Sequence, residues 1–128
     1  MTTRANGDAK RIVVLGAGLS GLTAATQLES LGYAVTVVDK ARGAGGRMST
    51  RRDGDWRFDH GSQYFTARDP KFIQQVGEWR REGIVDAWNG RIGIASPGSG
   101  IVEAPARQRF VGVPGMNSIC KHLAAALW

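Results

Sequence analysis

The 128-residue sequence has one cysteine, four prolines and no long hydrophobic run. One cysteine excludes an intrachain disulfide framework and a thiolate zinc cluster, and Cys120 lies in an apolar run that predicts a buried thiol. No run approaches the ~20 apolar residues of a membrane helix, so we expect no membrane partner. The first eleven residues are polar and lack the pattern of a secretory signal. The sequence therefore predicts a cytoplasmic protein.

The sequence also lacks the patterns of several common sites. No grouping of His, Asp and Glu suggests a metal site, and no Gly-x-Ser-x-Gly elbow is present. The net charge is +6, and arginines are concentrated between residues 42 and 57. No aromatic-interleaved basic platform or recognition helix accompanies them, so we expect no nucleic-acid partner. A bound anionic cofactor or solvated surface explains this charge equally well.

Glycine, by contrast, is abundant, with 18 residues in clusters. A β-branched run at 11–15 ends at Gly16 and does not alternate, which predicts a parallel strand buried on both faces. Leucines and alanines then recur at helical spacing from Leu19 to Leu31, and a second buried run at 34–38 ends at Asp39. Residues 11–39 are thus predicted to form a Rossmann-like βαβ unit of an α/β fold.

The remaining segments follow from turn and capping residues. Asp69-Pro70 is typical of a helix start, and Asn89-Gly90 between two apolar runs predicts a two-residue hairpin. The predicted order is a flexible tail at 1–10, the βαβ unit, a glycine-rich loop at 40–47, short strands at 48–52 and 56–59, a helix to Arg81, a hairpin at 84–95, a strand at 109–113 and a last helix capped by Asn117 or Ser118.

Gly16-x-Gly18-x-x-Gly21 follows the first strand and opens the helix, and Asp39 ends the second strand. This is the full fingerprint of a dinucleotide site. Gly16 permits the turn, Gly18 admits the pyrophosphate, Gly21 allows the helix to pack on the sheet, and the helix N-terminus attracts phosphate. The Asp39 carboxylate can accept hydrogen bonds from ribose hydroxyls, and its negative charge would repel a 2′-phosphate. The alternative is a tight strand–helix turn that binds no ligand.

The segment Gly45-Gly46-Arg47 comes six residues after Asp39, the predicted ribose-binding residue. We expect this glycine pair to let a second backbone stretch approach the cofactor, while Arg42 and Arg47 offer guanidinium groups to its phosphates. A flexible surface loop with solvated arginines is the alternative interpretation. His60 could act as a general base, although a structural role is favoured for it.

Together with the fingerprint, the segments 39–42, 45–52, 58–66 and 113–118 resemble the N-terminal part of the renalase-type flavoproteins, a branch of the amine-oxidase-like FAD superfamily. The resemblance implies noncovalent FAD and an oxidase that reacts with dioxygen to give hydrogen peroxide. Its small-molecule substrate would be an isomeric dihydronicotinamide dinucleotide or an amine. Gln63 and Tyr64 would lie near the flavin ring, and together with His60 they are the catalytic candidates. The implied cofactor-binding residues are Gly16, Ala17, Gly18, Leu19, Ser20, Gly21, Asp39, Lys40, Arg42, Gly45, Gly46, Arg47, Met48, Gln63 and Tyr64.

Members of that family are much longer than this chain. The resemblance therefore implies that residues 1–128 are the N-terminal part of an incomplete FAD-binding domain, without the substrate domain and the C-terminal flavin-binding segment. We expect such a fragment to bind flavin weakly or not at all and to be inactive alone. Two rival interpretations remain: an NAD-dependent dehydrogenase using the same βαβ unit, and a non-catalytic nucleotide-binding module.

Overall fold

The computed structural model describes residues 10–127, so the flexible tail predicted at 1–10 lies almost wholly outside the described residues. A single 3-10 turn, Gly46–Met48, lies between the second and third strands. The elements in chain order are β1 (Arg11–Leu15), α1 (Leu19–Ser30), β2 (Ala34–Val38), β3 (Thr50–Asp53), β4 (Trp56–Asp59), α2 (Pro70–Arg81), β5 (Val85–Ala87), β6 (Gly93–Ser96), β7 (Gly100–Glu103), β8 (Phe110–Gly112) and α3 (Ser118–Ala125).

The predicted βαβ unit is confirmed. β1 and β2 pair in parallel, in a register that places Arg11 beside Ala34 and Leu15 beside Val38. α1 connects them and packs its fully buried Leu22 and Ala25 into the interior. Gly32, with a φ of +87°, lies just past the end of α1, where a left-handed residue is favoured.

The prediction that both faces of the strands are buried is wrong. Val13 is 61% exposed, Leu15 82% and Val38 49%. Because side chains alternate along a strand, these residues share one face with Arg11 and Thr36. We call this set, Arg11, Val13, Leu15, Thr36 and Val38, the open sheet face. α1 covers the opposite face, and no described element covers this one.

The hairpin predicted at 84–95 is also wrong. β5 pairs antiparallel with β8, so that Ala87 lies beside Phe110, and β6 pairs antiparallel with β7 around a turn at 97–99. Asn89-Gly90 therefore lies in the connection between the β5–β8 ladder and the β6–β7 ladder, and it does not form the turn of a hairpin. Burial explains the choice: β5 and β8 contribute the buried Val85 and Phe110 to the core, which pairing β5 with the exposed strand β6 would not achieve.

The core lies between the three helices and the β5–β8 ladder. Phe72 and Trp79, one above the other on α2, meet edge to face with ring centroids 6.2 Å apart, and Phe65 packs on both Phe72 and Phe110. α3 packs against α1. The buried apolar members are Leu22, Met48, Val76, Trp79, Val85, Phe110, Met116, Ile119 and Cys120.

The start of α2 is capped as predicted. Oδ1 of Asp69 accepts hydrogen bonds from the backbone N–H groups of Lys71, at 2.9 Å, and Phe72, at 3.1 Å. We expect Asp69→Ala to lower the free energy of unfolding by about 1 kcal/mol, because two first-turn donors lose their acceptor. Urea unfolding measures this loss, and Asp69→Ser, which keeps a capping oxygen, should restore most of it.

Candidate functional site

The first glycine loop ends β1 and opens α1. Gly16 has a φ of +109°, and its N–H donates to the Val38 carbonyl at 2.7 Å. A Cβ on Gly21 would lie 2.0 Å from the Gly16 carbonyl oxygen, so no side chain fits there. Gly18 caps α1 without any side-chain hydrogen bond. The first-turn N–H groups of α1 therefore have no side-chain cap, and they carry the positive end of the helix dipole.

The second glycine loop packs directly on the first. The N–H of Gly45 donates to the Ala17 carbonyl at 2.9 Å, and Gly18 and Gly45 form an isolated parallel bridge. Gly46 has a φ of +53°, and a Cβ there would lie 3.1 Å from the Cα of Gly18. The sequence predicted a close backbone approach to a cofactor. In the structure, Gly46 also permits a close approach to the first glycine loop, whereas a Cβ on Gly45 would lie 3.0 Å from the Ser49 hydroxyl oxygen.

Asp39 joins the two strands at their carboxyl ends. Its Oδ2 accepts from the Ala17 N–H at 2.6 Å, and its Oδ1 accepts from the Ala41 N–H at 2.7 Å. Asp39 thus points toward the first glycine loop, as a ribose-binding role requires, and it also braces that loop. The Ala41 and Ala17 N–H groups lower the pKa of the Asp39 carboxyl below its usual value of 3.8, against a smaller opposing effect of desolvation.

This lowered pKa predicts a pH dependence of stability. The bonds favour the ionised form, so their contribution is complete above the unfolded-state pKa and is lost as pH falls through the lower folded-state pKa. We expect the difference in unfolding free energy between the native chain and Asp39→Asn to be constant near neutral pH and to shrink below pH 3.8. Urea unfolding from about pH 7 to about pH 2.5 measures it, and a difference that does not change with pH would contradict the assignment.

The two loops form the rim of a cavity of about 1170 Å³. This exceeds the ~300–1,000 Å³ of typical small-ligand pockets. The loops and the end of β2 supply one side of its lining, and apolar side chains from α2, α3 and the segment before α2 supply the other. A large ligand with an anionic part and a flat apolar part fits this division. The lining residues are Leu15, Gly16, Gly18, Leu19, Ser20, Gly21, Val38, Asp39, Lys40, Ala41, Gly45, Gly46, Arg47, Met48, Ser49, Ser62, Phe65, Phe72, Trp79, Met116 and Ile119.

The structure brings most of the predicted cofactor-binding residues to this cavity, but not all of them. Ala17, Arg42, Gln63 and Tyr64 are outside its lining. The Ala17 N–H, which a bound phosphate could have used, already donates to Asp39. Arg42 is exposed on the loop beyond β2.

The three catalytic candidates also lie outside the cavity lining. His60 and Gln63 are exposed. Tyr64 is 40% exposed, with its ring centroid 5.5 Å from that of Trp88, and the Arg109 guanidinium lies 5.4 Å from the same ring. Tyr64 therefore belongs to a surface stack with Trp88 and Arg109. Its neighbour Phe65 faces the cavity instead.

The apolar side of the cavity was not foreseen. Phe72 and Trp79 lie seven residues apart on α2, and this helical spacing is the only signal in the sequence that predicts a shared apolar face for them. Met116 and Ile119 lie near the other end of the sequence, where no local pattern relates them to the glycine loops. Ser62 reaches the rim because its N–H donates to the Arg47 carbonyl at 2.9 Å. The preceding Gly61 leaves room, since a Cβ there would lie 2.1 Å from that oxygen.

Within residues 10–127, no group of three or more His, Cys, Asp or Glu side chains could hold a metal ion. No helix in the same range combines the length and the apolar character needed to cross a bilayer.

Comparisons with known proteins agree with this geometry. An L-amino-acid oxidase of Bothrops moojeni, BmooLAAO-I, is 32% identical over 118 residues, which cover 80% of this chain and 23% of the oxidase. A phytoene desaturase (neurosporene-forming) of Rhodobacter capsulatus is 51% identical over 59 residues, 46% of this chain and 11% of the desaturase. The chain thus spans about a quarter or less of these relatives.

The solved structure of wild-type putrescine oxidase bound to putrescine is similar in fold. It superposes with a TM-score of 0.52 at 22% identity, over 77% of this chain and 22% of the oxidase. The family model of the NAD(P)-binding Rossmann-like domain matches residues 14–78, half of the chain, including both glycine loops and Asp39. The chain therefore belongs to the family of NAD(P)-binding Rossmann-like domains.

Proposed function

We propose that this chain is the N-terminal, FAD-binding part of a flavin-dependent oxidase. One observation carries the proposal: two glycine loops meet at the N-terminus of α1, which has no side-chain cap, beside Asp39 and a cavity large enough for a dinucleotide. The match to L-amino-acid oxidases supports the oxidase class.

The residues of the cavity suit the parts of such a cofactor. The first-turn N–H groups of α1 would bind the pyrophosphate, and Gly18 and Gly46 leave its approach free of side chains. Arg47 on the rim would add a guanidinium to the phosphates. Asp39 retains unused lone pairs for ribose hydroxyls. When bound, FAD would supply hydride acceptance from the substrate, and dioxygen would reoxidise it to give hydrogen peroxide.

For the substrate we propose a small amine or amino acid. The names of an L-amino-acid oxidase and of a putrescine oxidase among the similar proteins support this class. The dihydronicotinamide dinucleotide implied by the renalase resemblance remains the rival. Rapid mixing of the complete protein with amino acids, diamines and reduced nicotinamides separates the two, because only a true substrate bleaches the flavin absorbance. Bleaching by reduced nicotinamides alone would reject the amine proposal.

A second candidate is an NAD-binding domain of a dehydrogenase. The match to NAD(P)-binding Rossmann-like domains favours it, since the fingerprint is shared by both cofactors. Under this alternative, the contact of the Gly45–Gly46 loop with Gly18 would stabilise the fold and would have no role in binding the cofactor.

Titration of the chain with FAD, ADP, NAD⁺ and NADP⁺ tests the proposal. We expect FAD to bind at least as tightly as ADP and more tightly than NAD⁺, because the apolar side of the cavity accepts the flavin. NADP⁺ should bind weakest, because Asp39 repels its 2′-phosphate. Isothermal calorimetry gives the four affinities, and tighter binding of NAD⁺ than of FAD would favour the dehydrogenase.

The cytoplasmic location and the weak flavin affinity of the isolated chain remain proposals. Absorbance of the purified chain tests the second one. We expect no stoichiometric flavin band after gel filtration, because the chain corresponds to about a quarter of the length of its oxidase relatives. A retained yellow band at one flavin per chain would contradict the weak affinity and would strengthen the cofactor proposal.

A further inference from the structure

A partly buried polar contact joins the β3–β4 hairpin to the turn before α3. Oδ1 of Asp59, the last residue of β4, accepts from the Thr50 hydroxyl at 2.5 Å and from the Met116 N–H at 3.0 Å. The Thr50 oxygen in turn accepts from the Asn117 N–H at 3.3 Å. We call Thr50, Asp59 and these two N–H groups the Asp59–Thr50 clamp.

The strand pairing explains only part of the clamp. Thr50 and Asp59 are register partners in the β3–β4 ladder, so their mutual bond could simply close that hairpin. The bonds from Met116 and Asn117 have no such origin, because they arrive from positions 57 and 67 residues away in sequence. Glycine at position 115 allows this close approach, because a Cβ there would lie 2.8 Å from the Thr50 hydroxyl oxygen. The clamp therefore fixes the turn that precedes α3.

From that turn, contacts lead to the glycine loops. Met116 and Ile119 are fully buried and line the cavity. Cys120, one residue further, is fully buried with its Sγ 3.7 Å from the Gly45 carbonyl oxygen. Gly45 is the residue whose N–H donates to Ala17 in the first loop. Thr50 and Asp59 themselves are outside the cavity lining, so they would act through α3 and not on a ligand.

We propose that Asp59 and Thr50 are positioning residues, which hold the start of α3 so that Cys120 and Ile119 support the second glycine loop against the first. The part of this inference that concerns nucleotide affinity rests on the proposed function. The coupling of the clamp to the Gly45 loop does not rest on it, and the two parts have separate tests.

Cys120 provides the first test because it is the only cysteine in the sequence and lies at the contact. Burial raises the pKa of its thiol to about 11, so it reacts with a thiol reagent only after local opening. We expect Thr50→Val to raise the rate of Cys120 labelling by about 10- to 100-fold, the effect of losing a hydrogen bond to a charged group. Thr50→Ser should restore the native rate.

Thr36→Val is the matched control, since Thr36 is exposed on β2 and outside both the clamp and the cavity lining. Labelling as a function of urea, compared with global unfolding of each variant, separates local from global opening. Faster labelling of Thr50→Val with little urea dependence supports the clamp, because local opening exposes little surface. An unchanged rate, or a rate that follows global unfolding alone, would overturn it.

ADP affinity provides the second test. At a temperature where every variant is folded, we expect Thr50→Val to bind ADP about tenfold more weakly, and Thr50→Ser and Thr36→Val to bind as the native chain does. Equal affinity of Thr50→Val and the native chain would overturn the positioning role in binding. The labelling rates decide whether the clamp supports the Gly45 loop whether or not the native chain binds ADP, so that part of the inference stands or falls independently of the proposed function.

Discussion

Gly21→Ala is expected to cost at least about 3 kcal/mol of unfolding free energy and to abolish nucleotide binding. The added methyl carbon would lie 2.0 Å from the Gly16 carbonyl oxygen and 3.1 Å from the Gly16 carbonyl carbon, both backbone atoms. Relief therefore requires α1 to move away from the first glycine loop. That movement would shift the first-turn N–H groups that point toward the cavity. Urea unfolding and ADP titration measure the two effects.

Gly77→Ala is the matched control for this substitution. Gly77 lies inside α2, and a Cβ there would meet nothing within 4 Å. Alanine is a better helix former than glycine, so we expect a gain of up to about 1 kcal/mol and unchanged ADP affinity. Similar stability of Gly21→Ala and the native chain would show that the loop accommodates a side chain, and would remove the main physical reason for the fingerprint at this position.

Trp79→Ala is expected to lower the free energy of unfolding by about 3–5 kcal/mol. Trp79 is 4% exposed, meets Phe72 edge to face at 6.2 Å and lines the cavity. The backbone carbonyl of Trp79 accepts from the Ile84 N–H at 2.8 Å, and alanine would keep this bond, so the expected loss comes from the side chain alone. Because whole domains are stable by only about 5–15 kcal/mol, this one truncation should bring the chain close to unfolding.

Trp88→Ala removes an exposed tryptophan, so its comparison with Trp79→Ala distinguishes the effect of burial from the effect of losing an aromatic ring. Trp88 is 38% exposed and stacks on Tyr64. We expect it to cost about 0.5–1.5 kcal/mol, the usual worth of an aromatic pair. Chemical unfolding of both variants gives the comparison. Equal losses would mean that the aromatic side of the cavity contributes no more to the core than a surface stack does.

The elements that sequence reasoning predicted are those with local signals. Gly16 to Gly21 and Asp39 form a pattern within one βαβ unit, and Asp69-Pro70 marks a helix start by its own chemistry. The Asn89-Gly90 hairpin failed because a turn signal competes with long-range pairing. Burial of Val85 and Phe110 favoured the more distant partner strand.

The residues of the candidate site also fall into those with a local sequence signal and those positioned by long-range contacts. The first glycine loop and Asp39 are related by a known spacing, so their proximity could be predicted, whereas the direct contact of the second loop with the first could not. The support from Met116, Ile119 and Cys120 could not, because it depends on hydrogen bonds that Thr50 and Asp59 make with residues more than fifty positions away. Tyr64 and Phe65 show a further limit. Neighbouring residues in an extended segment face opposite sides, and only the fold decides which one reaches the cavity.

The open sheet face has a practical consequence for folding studies. Dyes such as anilinonaphthalene sulfonate fluoresce when they bind exposed apolar surface, and their signal is often used to diagnose a molten globule. Leu15, Val13 and Val38 offer such surface in the native fold, and the net charge of +6 attracts the anionic dye. Bright dye fluorescence from this protein would therefore accompany a well-ordered interior, and near-ultraviolet circular dichroism is the better criterion for tertiary packing.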